Sequence, residues 1–133
     1  MSSATLLAVI HDDSAGDAAH LPVPRLAGAW VMARVTGPSM SPTVRHGDRL
    51  LVRRVRQAVT VRRGDVVLAR FPARPELLVV KRVRSAVPGG HWVEGDNRFV
   101  EDDSRAFGPA VVVGLVVGRL WPRPGRLSPA PLA

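Results

Sequence analysis

The chain of 133 residues has no cysteine and no tyrosine, three tryptophans, three phenylalanines, and a single lysine, Lys81, beside 18 arginines. Each shortage removes a class of function. Without cysteine there is no disulfide scaffold, no thiolate zinc site and no cysteine nucleophile. Few aromatics leave few platforms on which single-stranded nucleic acid could stack. The longest stretch free of Asp, Glu, Lys and Arg is 13 residues, from Ala106 to Gly118, short of the roughly 18 to 20 that cross a bilayer as a helix. The apolar run Leu6-Leu7-Ala8-Val9-Ile10 has no basic residue before it and is followed at once by His11, Asp12 and Asp13, so it does not read as a secretory signal. The expectation is a soluble, cytoplasmic protein with no transmembrane anchor.

The length is enough for one compact domain and excludes a two-domain enzyme. A hydrophobic fraction of 46% can fill its core, and 19 basic against 11 acidic residues give a net charge of +8. Clusters such as Arg53-Arg54-Val55-Arg56 and Arg62-Arg63 are of the kind that meets phosphates. Arginine in place of lysine almost throughout, with abundant Ala, Val, Gly and Pro, is also what a GC-rich coding sequence produces. A solvated basic surface is the simpler reading, and no nucleic acid partner is expected. The exception is informative: a chain that uses arginine nearly everywhere has one basic side chain able to lose its proton when buried.

Residues 1–28 are rich in Ala, Ser, Asp and Pro without a sustained apolar period, and read as a flexible leader. The folded domain is expected over 29–121. Runs rich in Val and Leu cover Trp30–Val35, Arg49–Val55, Asp65–Phe71, Leu77–Arg84, His91–Glu94 and Val111–Leu120, each bounded by Gly, Pro, Asp or Asn. That pattern predicts strands joined by turns. The fold class is mainly β, a single compact domain with short helical turns, one of them just after Ser39. Residues 122–133 hold four of the 12 prolines and read as a disordered tail.

Three segments stand apart from this background: Val35–Thr43, Leu77–Val83, and Gly95-Asp96-Asn97 followed by Asp103–Pro109. In the first, Ser39 sits between Pro38 and Pro42 with Gly37 two residues before it, a constrained backbone that suits a nucleophile. In the second, Lys81 follows four apolar residues in a strand that reads as buried. Desolvation lowers a lysine pKa by up to about 3 to 5 units, which makes a base able to deprotonate a serine hydroxyl. The other reading puts Lys81 on the solvent side of an edge strand, although alternation separates it from Arg82 onto opposite faces.

In this order and spacing, the three segments resemble the boxes of the signal peptidase I family of serine-lysine proteases, the S26 type, over about residues 34–120. The nucleophile box Gly-x-Ser-Met-x-Pro-Thr matches Gly37, Pro38, Ser39, Met40 and on to Thr43. The lysine box matches Gly64–Val67 and Val80–Arg82, and the third box matches Gly95–Asn97 and Asp103, Ser104 and Arg105. The resemblance implies a β peptidase domain with Ser39 as nucleophile, Lys81 as base and the Ser39 N–H in the oxyanion hole. It also implies that Asp96, Asn97, Asp103, Ser104 and Arg105 support the site, with Asp103 and Arg105 paired. No cofactor follows from it.

The chain departs from the pattern in three respects. The N-terminal anchoring helices usual in the family are not expected, since no apolar run here is long enough for one. Gly37 stands where one branch carries an oxyanion-binding serine, leaving backbone donors or Thr36. Glu101 replaces a serine that orients the lysine, so Glu101 either points away, is protonated, or contacts substrate. Within the family, the third box looks like that of the small nickel-type superoxide dismutase maturation proteases, which implies the dismutase proenzyme as protein substrate and removal of its N-terminal propeptide. The alternatives are a generic signal peptidase-like processing enzyme, a self-cleaving repressor-type regulator, or an inactive basic binding module. His11, Asp12, Asp13 and His20, like Glu101-Asp102-Asp103, are not expected to hold a metal, and His46 and His91 adjoin turns and read as equally plain.

Overall fold

The computed structural model describes residues 6–10, 30–55 and 61–130. Seven strands and one helical turn follow in chain order: β1 (Leu6–Ile10), β2 (Trp30–Thr36), β3 (Arg49–Arg54), β4 (Val66–Phe71), β5 (Arg74–Val87), β6 (Gly90–Glu94), α1 (Ser104–Phe107) and β7 (Val111–Trp121). All pairings are antiparallel, in the order β1-β2-β3-β7-β4-β5-β6. β1 also meets β5 at Leu6 and Val79, so the sheet curls back on itself. This is the mainly β domain expected from the Val- and Leu-rich runs between turn residues, and six of its strands fall on the six predicted segments.

Strands β4 and β5 are covered on both faces. Val66, Leu68, Leu78 and Val80 pack with Val31, Val35, Met40 and Leu50 in one apolar cluster. The alternate residues Val67, Ala69, Phe71, Val79 and Val83 pack with Val93, Ala110 and Val112 in another. Period-2 alternation therefore sends neighbouring β5 residues into two different cores, and a polar residue in mid-strand is buried whichever way it points.

Three observations depart from the expectations for the ends of the domain. β1 lies inside the segment read as a flexible leader; the rest of 1–28 lies outside the described residues. The short helix α1 was not foreseen as such, because its four residues are too few to show periodicity. The Pro-rich stretch is tethered as far as it is described: Gly125 exchanges both backbone hydrogen bonds with Arg119, Leu127 packs on the first core, and the Ser128 carbonyl accepts from Arg82. Proline forbids ladder donors but not isolated anchoring contacts of this kind.

Candidate active site

β2 ends at Thr36, and the chain turns away through Gly37, whose φ of 88° lies in the left-handed region that glycine enters freely. The Gly37 N–H donates to His46 Nδ1 at 3.1 Å, which ties the start of the loop to its far side. A turn follows in which Ser41 N bonds the Pro38 carbonyl and Val44 N bonds the Met40 carbonyl, the helical turn expected after Ser39. Met40 and Val44 are fully buried in the first core. They anchor the turn and hold Ser39 between them and the β6–α1 loop.

That loop grips Ser39 from the other side. Asn97 N donates to the Ser39 carbonyl at 2.9 Å, and Asn97 Nδ2 donates to the Pro38 carbonyl at 3.0 Å. Gly95 is so close that a Cβ added there would stand 2.4 Å from the Ser39 carbonyl oxygen, so no other residue fits without displacing the Ser39 backbone. Asp96 joins the boxes. It accepts from Arg82 Nε at 2.9 Å and Nη2 at 2.7 Å and from Thr43 Oγ1, while its N–H points at Met40 Sδ. Arg82 also donates to the Gly64 carbonyl. A buried, bidentate ion pair, with the Thr43 hydroxyl on the same carboxylate, thus fastens the strand carrying Lys81 to the loop carrying Ser39.

Lys81 sits opposite Val67 on β4, on the face that Val79 and Val83 share. Both Lys81 and Ser39 have no solvent exposure. Among the described residues neither Ser39 Oγ nor Lys81 Nζ has a hydrogen-bond partner, each other included. Arg82 on the opposite face is buried too, so the solvent-side reading of Lys81 does not describe this strand. Burial lowers the Lys81 pKa from 10.5 to about 8; Asp103 and Asp102 push it up, and Arg105 pushes it down again. Glu101 is exposed and is not among the charges that act on Lys81.

Asp103 caps α1 and is fully buried. Its Oδ2 accepts from Gly95 N at 2.9 Å and from Arg105 Nη2 at 2.6 Å, and its Oδ1 accepts from Arg105 Nε at 2.9 Å. Burial works against its charge, but the hydrogen bonds from the Arg105 side chain and from the Gly95 and Arg105 N–H groups outweigh it and hold its pKa below 3.8. Ser104 Oγ accepts from Val93 N, tying α1 to β6. The third box is therefore a scaffold: Asp103 positions Gly95, and Gly95 and Asn97 position Ser39. His46 was missed, because its bond to Gly37 spans a turn that no local pattern marks. Among the described residues no group of His, Asp and Glu is placed to hold a metal ion, and His11, Asp12, Asp13 and His20 lie outside them.

A family model described as signal peptidase, peptidase S26, matches residues 25–91. Subunit 1 of the mitochondrial inner membrane protease is 34% identical in Xenopus tropicalis over 65% of this chain and 66% of the relative, and 36% identical in Mus musculus over 65% and 67%. Subunit 2 from Schizosaccharomyces pombe is 39% identical over half of each. The chain spans about two thirds of the length of the subunit 1 relatives. These relatives lend no support to the nickel superoxide dismutase assignment. They also overturn the expectation of a cytoplasmic protein, since each is named for an inner membrane. That expectation rested on the lack of a long apolar run. Among the described residues no helix is long and apolar enough to cross a membrane, but association with a membrane needs no spanning helix in the domain itself.

Proposed function

Because this chain belongs to the signal peptidase S26 family, we propose that it is a serine endopeptidase in which Ser39 attacks and Lys81 is the general base, trimming N-terminal segments from precursor proteins at a membrane surface. One observation carries the reading: the only lysine of the chain is buried, unpartnered, and has its pKa lowered to about 8. At pH 7 about one such side chain in ten is neutral, against about one in several thousand for an ordinary lysine. A loose Ser39–Lys81 arrangement is common in catalytic pairs before substrate draws them together.

The chemistry follows in two halves. Ser39 Oγ bonds to the scissile carbonyl carbon while Lys81 Nζ takes its proton, and the oxygen that gains charge is received by the Ser39 N–H. The ammonium of Lys81 then protonates the leaving amine, and the C–N bond breaks. Water, deprotonated in turn by Lys81, releases the acyl group from Ser39. Arg82–Asp96 and Asn97 keep the two reacting side chains in place, and Arg105 neutralises Asp103 so that its carboxylate does not hold Lys81 protonated. A membrane location rests on the relatives, and the net charge of +8 suits an anionic lipid surface.

For the substrate, the third box favours the nickel superoxide dismutase proenzyme, and a generic signal-peptide-bearing precursor is the alternative. Incubating the purified chain with each, beside the Ser39→Ala variant, and reading product N-termini by mass spectrometry separates them. A single cut that the variant fails to make supports the protease, and its position identifies the substrate. Equal cutting by the variant refutes Ser39 as nucleophile.

A further inference from the structure

β1 occupies a place to which the proposed reaction gives meaning. Leu6 to Ile10 pair with Thr36 back to Met32 on β2, and Leu6 also faces Val79 on β5. Thr36 stands three residues before Ser39 and Val79 two before Lys81. The Leu6 end of β1 is thus held between the two strands that deliver nucleophile and base, and the strand runs toward them from Ile10 to Leu6. Among the described residues no other strand pairs with these edges there: β3 takes the opposite edge of β2, β4 takes the opposite edge of β5 at Val79, and β6 pairs with β5 only from Arg82 to Val87.

A peptide cut at Ser39 has to lie extended with its scissile carbonyl between Ser39 and Lys81. The backbone groups able to hold it in register are those of β2 near Thr36 and of β5 near Val79, by addition of a strand to a sheet edge. β1 already engages both. We infer that β1 is a resident occupant of the substrate groove, a strand of the chain itself that an extended peptide displaces. This inference rests on the protease reading for its functional meaning, though not for its geometry.

Being joined to β2 through residues 11–29, β1 competes as a tethered ligand, whose effective concentration is on the order of millimolar. A groove filled nine times in ten by its own strand shows an apparent affinity for peptide about tenfold weaker than an open one. The occupant is apolar throughout, Leu-Leu-Ala-Val-Ile, so the segment that best replaces it is an extended, uncharged stretch. Such a device keeps a basic protease closed to casual peptides, and it covers sheet edges that would otherwise invite intermolecular pairing.

Two arms test it on the full chain. In the first, Ala8→Pro removes an N–H at the centre of β1, opposite Arg34. The expected result is a KM for peptide substrate several-fold lower, approaching about tenfold, with kcat unchanged; an unchanged or higher KM overturns the inference. In the second, amide hydrogen exchange of Leu6–Ile10 is followed in the Ser39→Ala chain with and without an excess of a synthetic Leu-Leu-Ala-Val-Ile peptide. Protected amides that exchange at least about tenfold faster once the peptide is bound support displacement. Amides that keep their protection, or a peptide that does not bind at millimolar concentration, overturn it. The second arm decides alone if Ala8→Pro does not fold. If no form of the chain cuts any peptide, the protease reading falls while the exchange result still judges the strand.

Discussion

Lys81 can be titrated with little interference, because the chain has no cysteine, no tyrosine and no other lysine. Above the range of the terminal amine, near 8, and below that of arginine, no other side chain changes charge. The folded pKa is about 8 and the ordinary value 10.5, and each pKa unit is worth about 1.4 kcal/mol. The folded state therefore bears a cost of about 3 kcal/mol while Lys81 is protonated. Below pH 8 both states hold the proton and the cost is present in full. From pH 8 to 10.5 the unfolded chain still binds a proton that the folded chain has released, so stability rises with pH. Above 10.5 the curve is level again. Urea unfolding between pH 8 and 11 should show wild type gaining about 3 kcal/mol, and Lys81→Met staying flat and more stable than wild type by up to that amount at pH 8. A flat wild-type curve, or parallel rises in both proteins, refutes the claim that burial depresses this lysine.

Three further outcomes follow from the scaffold. Arg105→Gln leaves Asp103 uncompensated beside Lys81, so the acid limb of the pH–rate profile should move up by roughly one unit; a profile that stays in place argues against electrostatic tuning by Arg105. Gly95→Ala forces a methyl group against the Ser39 carbonyl, and should cost about 1 to 3 kcal/mol in urea unfolding together with most of the activity. Asp96→Asn strips the buried Arg82 of its charge partner; a loss of about 3 to 5 kcal/mol is expected, and a change below 1 kcal/mol would show the clamp to be dispensable.

How far the sequence was readable differs by element. The six runs of Val and Leu between Gly and Pro punctuation marked β2 to β7 closely, because buried strands need β-branched and apolar residues and their turns need particular ones. β1 was passed over: five uninterrupted apolar residues carry no alternation, and what makes them a strand is pairing with β2 and β5 far along the chain. The Pro-rich end looked frayed because composition does not show that Leu127 finds an apolar surface. At the site, the single lysine after four apolar residues pointed to burial, and the structure buries it. The spacing of Glu101 could not choose among its three options, since a loop residue's direction depends on the packing of α1. Gly95 shows the same limit. Its identity was legible as part of a motif, but the reason only glycine fits lies in the approach of Ser39 from another part of the chain.

The most direct test of the central claim is the pH dependence of kcat/KM for peptide cleavage, measured for wild type with Ser39→Ala and Lys81→Arg alongside. A serine-lysine mechanism gives a wild-type rate that rises with pH through an apparent pKa of about 8. It predicts no cleavage by either variant, because alanine has no nucleophile and the guanidinium accepts no proton at working pH. Cleavage that persists in Lys81→Arg, or a wild-type profile indifferent to pH between 6 and about 9, would contradict it.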